Sequence, residues 1–323
     1  MNELLRHLGM VLDAVRVDAY RQALASAVRP GAVVADLGAG CGILSVLACQ
    51  AGAGRVYAVE PAPIADVARR LVASNGCADR VRILDTDATG AELPEPVDLL
   101  VSDLRGTLPL RLPQLAAHAD FADRWLAPGG AVLPLADRLL AAPCRHPASL
   151  HRRAAAGAVE GVDLGPLVDA VGNSWWRQDL AASAPLAAPR RWAEITYPWR
   201  PAALAAPLAW ELESAATADG LALWFEAELV AGVGYTTAPG GHADSCYGQA
   251  FFPFAEPFEL AAGDELAVEL RADPAGGGFV WTWEAEQRRA GRAVATGRRS
   301  TFYVDAPGLL DALRPPPLGK VGP

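Results

Sequence analysis

The chain has 323 residues, 28 basic against 37 acidic side chains for a formal charge of −9, and 52% hydrophobic residues punctuated by 31 Gly and 26 Pro. The acidity excludes nucleic acid as the main partner, because phosphate binding needs a basic face, and no apolar run approaches the roughly 20 residues that span a bilayer. The length exceeds one ordinary domain, so two domains sharing an interface are expected. Cys41, Cys49, Cys77, Cys144 and Cys246 are odd in number and form no C-x-x-C, which predicts no metal site and no disulfide framework. With a start, MNELLRHLGM, unlike a signal peptide, the expected location is the cytoplasm.

Residues 2–27 read as one helix, with Leu4, Leu5, Leu8, Val11, Leu12, Val15, Ala19 and Ala23 recurring at three and four until Pro30-Gly31. Asp13, Arg16 and Tyr20 share one face of it. Val33-Val34-Ala35 suits a central parallel strand, which runs through Asp36 into Gly38, Gly40 and Gly42. A helix from Ile43 to Gln50 then presents its free amides to that turn, and a strand from Arg55 to Val59 ends on Glu60. A carboxylate there can accept from both hydroxyls of a ribose.

A helix (64–74) and a strand (81–84) lead into Asp85-Thr86-Asp87-Ala88. Asp87 is placed to accept from an adenine amino group, with the Ala88 amide pairing to the ring, or else to cap a short helix. The strand 97–102 ends at Asp103, and Leu104-Arg105-Gly106-Thr107 turns over the site. A helix (112–126) stopped by Pro128-Gly129-Gly130 and a strand (131–135) close the first domain. From about residue 138 the pattern alternates, predicting antiparallel strands at 222–230, 246–254, 265–271, 279–285 and 301–304. Residues 149–183 do not alternate and read as a polar, helical insertion projecting from the sheet, with Trp175-Trp176 either a contact surface or part of a core. Residues 314–323 read as a loose, proline-rich tail.

A dinucleotide fingerprint would need glycine where Ile43 or Ser45 stands. The order Asp36-x-Gly38-x-Gly40-x-Gly42, followed by Glu60, instead resembles the S-adenosylmethionine site of class I methyltransferases. An NAD-linked oxidoreductase or a purely structural turn are the other readings.

Taken whole, the chain resembles the protein arginine methyltransferases. The resemblance rests on Asp13-x-x-Arg16-x-x-x-Tyr20, on DLGAGCGILS at 36–45, on Ala-Val-Glu60, on the run from Ala122 to Pro134, and on Ser245-Cys246-Tyr247-Gly248-Gln249 followed by an apolar strand. It implies an N-terminal helical segment (1–30), a Rossmann-like S-adenosylmethionine-binding α/β domain (31–137) and a mainly antiparallel β-barrel substrate domain (138–313) whose insertion at 149–183 is a dimerisation arm. It further implies that Arg16 holds the cofactor carboxylate, that Asp36, Gly38, Gly40, Gly42, Glu60, Asp87 and Ala88 complete the cofactor site, and that Tyr20, Arg105, Cys246 and Tyr247 face the substrate. A homodimer and a protein, peptide or small-molecule methyl acceptor follow from the same resemblance, with no nucleic acid and no membrane.

The departures fall at the chemistry. The family's loop after the fourth strand carries two glutamates that clamp a guanidinium; here Asp103 and Leu112 stand in those places, Arg105 adds a cation, and Cys246 and Tyr247 replace a histidine and a tryptophan. The expectation is an intact donor site with a retuned acceptor site, Asp103 orienting or deprotonating a nitrogen other than arginine's. A true arginine methyltransferase needs another acid, such as Asp120 or Asp123, and an inactive docking relative is the third reading.

Overall fold

The structure is a computed structural model that describes residues 3–146, 162–180, 185–241 and 245–302. Its first correction comes at the start. The expected single helix is two, α1 (Glu3–Leu12) and α2 (Ala14–Ala27), because the Asp13 side chain accepts the Arg16 amide at 3.1 Å and caps α2. Helix α2 buries Arg16, Ala19, Tyr20, Ala23 and Leu24, whereas α1 leaves Leu4, Leu5, Leu8 and Leu12 exposed.

Five parallel strands follow, β1 (Val33–Leu37), β2 (Arg55–Val59), β3 (Val81–Leu84), β4 (Val97–Ser102) and β5 (Leu126–Leu133), in the order β3-β2-β1-β4-β5. They are connected through α3 (Ile43–Gln50), α4 (Ala65–Ser74) and α5 (Leu112–Trp125). Their apolar runs pack on both faces, as a covered parallel sheet requires. The strand order reverses between β1 and β4, so the loops that leave these two strands lie side by side at the carboxyl edge, where such sheets bind ligands. Pro128-Gly129-Gly130 lies inside β5 rather than ahead of it, since the chain is already extended from Leu126.

The second half enters directly with β6 (Ala136–Cys144). It continues as β7 (Trp176–Gln178), β8 (Arg190–Thr196), β9 (Leu204–Glu211), β10 (Ala216–Val230), β11 (Val233–Thr236), β12 (Gln249–Leu260), β13 (Glu265–Ala275), β14 (Gly278–Arg289) and β15 (Arg292–Ser300). The strands form two facing antiparallel sheets, β7-β12-β10-β6-β8 with β11 beside β10, and β15-β14-β13-β9. Between them lies an aromatic core that includes Trp192, Trp210, Phe252, Phe254, Trp281 and Trp283. The strand expected at 301–304 is instead β15, an edge strand whose exposed, arginine-rich sequence hides the alternation; Thr301 and Phe302 form a bend, and 303–304 lie outside the described residues.

The expectation that 149–183 projects from the sheet is corrected where it is described. There, α6 (Gly165–Gly172) is followed by β7, which pairs with β12; Trp175 stacks on Phe252 at 5.8 Å and Trp176 packs at 5.2 Å from Phe251. Paired tryptophans here extend the core, which large aromatic surfaces favour. Residues 149–161 and 181–183 and the tail at 314–323 lie outside the described residues. The two halves share an interior: one apolar cluster joins α2, α3 and β1 to Phe225, Leu229, Tyr235 and Tyr247. Among the described residues no helix is long and apolar enough to cross a membrane, and no group of three or more potential metal-binding side chains occurs.

Candidate functional site

At the end of β1 the chain turns through Gly38, Gly40 and Gly42 at φ of +67°, +56° and +84°, conformations that L side chains rarely adopt. A Cβ at Gly38 would stand 2.2 Å from the Leu104 side chain, and one at Gly40 would stand 3.1 Å from the His7 ring. The loop after β4 and helix α1 therefore close over this turn. Glu60 accepts from the Gly40 amide at 2.8 Å through Oε2 and from the Ala62 amide at 2.9 Å through Oε1, so the carboxylate that was expected to meet a ribose also braces the loop. A glycine turn opening an eight-residue helix, with a buried carboxylate at the next strand end, fits a nucleoside-bearing cofactor.

Asp36 is fully buried beneath the loop, and its Oδ2 accepts from the Ser45 hydroxyl at 2.7 Å. It shapes the turn from below. Burial pushes its pKa up to about 7, opposed by the Ser45 hydrogen bonds, with the charges of Glu60 and Asp103 adding to the rise. Because the folded state holds this proton more tightly than the unfolded chain, Asp36 removes stability as pH rises from about 4 to about 7. His118, buried with a pKa lowered to about 4 by burial and by Arg105, acts oppositely and removes stability as pH falls below its ordinary value. Urea unfolding of Asp36→Asn across this range should lose the downward contribution and leave that of His118; a profile parallel to wild type would remove Asp36 as its source.

Asp87 is exposed, and its Oδ1 accepts from the Thr89 hydroxyl at 2.7 Å and the Gly90 amide at 2.8 Å. It caps a turn, not a helix. The Ala88 carbonyl beside it accepts from Arg124 Nη2 at 2.6 Å.

The other half of the site converges on Asp103, at the end of β4. Its buried side chain accepts from Arg16 Nε at 2.5 Å, from Arg105 Nη1 at 3.0 Å and from the Tyr247 hydroxyl at 2.6 and 2.7 Å to its two oxygens. Burial would raise its pKa, but Arg16 and Arg105 outweigh burial and hold it below the usual carboxylate range. Arg16, whose Nη1 also donates to the Met10 carbonyl, keeps its charge against burial because of Asp103. Of the roles expected for Asp103, orienting an acceptor suits this arrangement better than deprotonating it: a carboxylate already matched by two guanidinium groups and a phenol is a poor proton acceptor.

Tyr20 donates to the Ser102 carbonyl at 2.9 Å and accepts from Arg105. Tyr247 is buried and stacked on Tyr235, whereas Cys246 is half-buried, with its amide donating to Asp13 and its thiol pushed up to about 12, mainly by burial. Leu112, at the first position of α5, offers no acceptor, and the side chains of Asp120 and Asp123 pair with Arg124 and Arg200 instead of entering the site. Sequence reasoning missed Asp137, Phe225 and Tyr235, which strands of the β half bring to Arg105; a lone Asp after Pro134 and a Tyr in a glycine hairpin gave no local signal.

Comparisons with known proteins bear on the fold and on sequence similarity. The family model of the ribosomal protein L11 methyltransferase (PrmA) matches residues 21–119. Protein arginine N-methyltransferase 6 of Xenopus laevis is 41% identical over 139 residues, covering 42% of this chain and 41% of that protein. A probable histone-arginine methyltransferase 1.4 of Arabidopsis thaliana is 31% identical over 287 residues, 83% of this chain and 54% of its own length. The chain thus spans about half or less of these curated relatives. Among solved structures, a Trypanosoma brucei PRMT1 enzyme-prozyme heterotetrameric complex with AdoHcy superposes with a TM-score of 0.81 at 20% identity, covering 91% of this chain and 97% of that one. The Arabidopsis thaliana protein arginine methyltransferase 10 gives 0.76 at 23% identity, with the same coverage. Both share the parallel sheet followed by the antiparallel β half.

Proposed function

We propose, for a chain that resembles the protein arginine methyltransferases in sequence and fold, that it is an S-adenosylmethionine-dependent methyltransferase acting on nitrogen. The observation that carries this reading is the junction at the sheet's switch point. There the glycine turn and Glu60 from β1 and β2 adjoin Asp103 from β4. Bound S-adenosylmethionine supplies an electrophilic methyl group. The chain's own residues do the rest. The glycine turn admits the cofactor's body, Glu60 accepts from the ribose, and Arg16 neutralises its carboxylate. Asp36 holds the turn in shape. Asp103 and Tyr247, on the β4 side, orient the acceptor nitrogen in line, and Leu104 and α1 exclude water, which is most of what methyl transfer from a sulfonium requires.

The acceptor is a nitrogen of a protein, a peptide or a small metabolite. A second reading, an arginine acceptor, is supported by the printed names of the relatives; the occupancy of Asp103 by Arg105 and the apolar Leu112 speak against it. Assembly with another chain stays part of the reading, in keeping with the heterotetrameric complex named for the Trypanosoma relative.

The test is transfer of a deuterated methyl group from S-adenosylmethionine to peptides of a host lysate, read by mass spectrometry. Label on amine or imidazole nitrogen supports the first reading, and label on arginine the second. Binding of adenosylhomocysteine without label on any peptide or metabolite would leave a docking protein in their place.

A further inference from the structure

The most unusual group in the molecule is the guanidinium of Arg105. It is buried in a pocket built by both halves of the chain. The two N–H bonds of Nη1 are shared among Asp103 Oδ1 at 3.0 Å, the Tyr20 hydroxyl at 2.8 Å and, most weakly, the Tyr235 hydroxyl at 3.3 Å, and Nε donates to Asp137 Oδ2 at 2.8 Å. The rings of Phe225 and Tyr235 face its central carbon at 5.6 and 5.9 Å. Two carboxylates, phenol oxygens and aromatic faces around one planar cation are the chemistry by which proteins recognise guanidinium groups. The ligand is part of the chain.

We propose that Arg105 is a resident guanidinium that fills this pocket and excludes arginine from Asp103, so that the acceptor is an uncharged nitrogen. The proposal deepens the methyltransferase reading and rests on it for the acceptor alone. Occupancy supports it. Arg16 and Arg105 already donate to the two oxygens of Asp103, so a substrate guanidinium would have to displace one of them to reach that carboxylate. A neutral N–H, such as that of an imidazole, adds no charge and asks Asp103 only for a lone pair.

The pocket extends beyond its occupant. Arg105 Nη2 has no hydrogen-bond partner among the described residues, nor does either ring nitrogen of buried His118. Both side chains line a cavity of about 20 Å³ with Ser102, Pro134 and Tyr197. Removing the Arg105 side chain should therefore leave room for a small guanidinium compound.

The experiment is chemical rescue, read by thermal unfolding. Arg105→Ala should melt roughly 10 °C below wild type, because it takes the only cation from buried Asp137 among the described residues and one of two from Asp103. Methylguanidine at about 10 mM should restore roughly half of that loss by binding the folded variant, and leave wild type within about 1 °C. Methylammonium at the same concentration should not rescue. Absence of rescue, or equal rescue by methylammonium, overturns the resident-guanidinium assignment.

If Arg105→Ala is recovered only as aggregate, refolding yield becomes the readout. Recovery with methylguanidine and not methylammonium supports the proposal; equal or no recovery overturns it. Wild type incubated with donor and an arginine peptide should leave arginine unlabelled, and labelled arginine would overturn the exclusion. Adenosylhomocysteine binding, measured on the same samples, separates the two levels: its absence from wild type sinks the methyltransferase reading while the rescue still reports on the pocket.

Discussion

Asp103→Asn should destabilise the protein by on the order of 3–5 kcal/mol, because it leaves two buried guanidinium groups without their shared anion. Arg16 and Arg105 approach this carboxylate from α2 and from the loop after β4, and Tyr247 from the β half. The amide keeps the shape and one acceptor oxygen but turns a donor toward at least one of three donors. In a chain of this size the loss corresponds to a fall in Tm of roughly 10 °C. Asp103→Glu keeps the charge, adds a methylene to a packed site and should lose less. A melting temperature for Asp103→Asn within about 1 °C of wild type would mean that the carboxylate does not hold the two halves together.

Glu60→Gln should weaken adenosylhomocysteine binding roughly 10- to 100-fold, the worth of a charge-assisted hydrogen bond. Both oxygens of Glu60 accept from backbone amides, at Gly40 and Ala62, while one edge remains for a ribose. In the variant one of those amides faces an NH2 group, so the glycine turn loosens as the hydroxyl acceptor is lost. Unchanged affinity would place the nucleoside elsewhere. The two variants separate the two sides of the junction: on the proposed reading, Asp103→Asn should act chiefly on the folded state and Glu60→Gln chiefly on adenosylhomocysteine binding.

The glycine turn and the elements around it were legible in the sequence because their determinants are local. Val33 to Glu60 encode strand, turn, helix and strand in one stretch, and the bounds of α3 and β2 match the expected ones because apolar spacing and glycine fix both. The interruption at Asp13 was harder to see: an apolar stripe runs through it, and capping depends on one side chain reaching the Arg16 amide. The surroundings of Asp103 were legible only as a set of substitutions. Leu112 and Arg105 could be counted along the loop, but whether Arg105 turned inward depended on Asp137, Tyr235 and Phe225, which are distant in sequence and become its partners only when β6, β10 and β11 bring them to the loop after β4. Trp175 and Trp176 left contact surface and core equally open for a related reason, since β7 supplies three residues of strand with too little alternation to announce its pairing with β12.

The most direct measurement is calorimetric titration of the purified chain with adenosylhomocysteine, with a nicotinamide dinucleotide as the competing ligand. Saturable binding of adenosylhomocysteine, weakened in Glu60→Gln and without effect from the dinucleotide, is the predicted result. No heat with adenosylhomocysteine and saturable binding of the dinucleotide would contradict the assignment of the glycine turn and, with it, the methyltransferase reading.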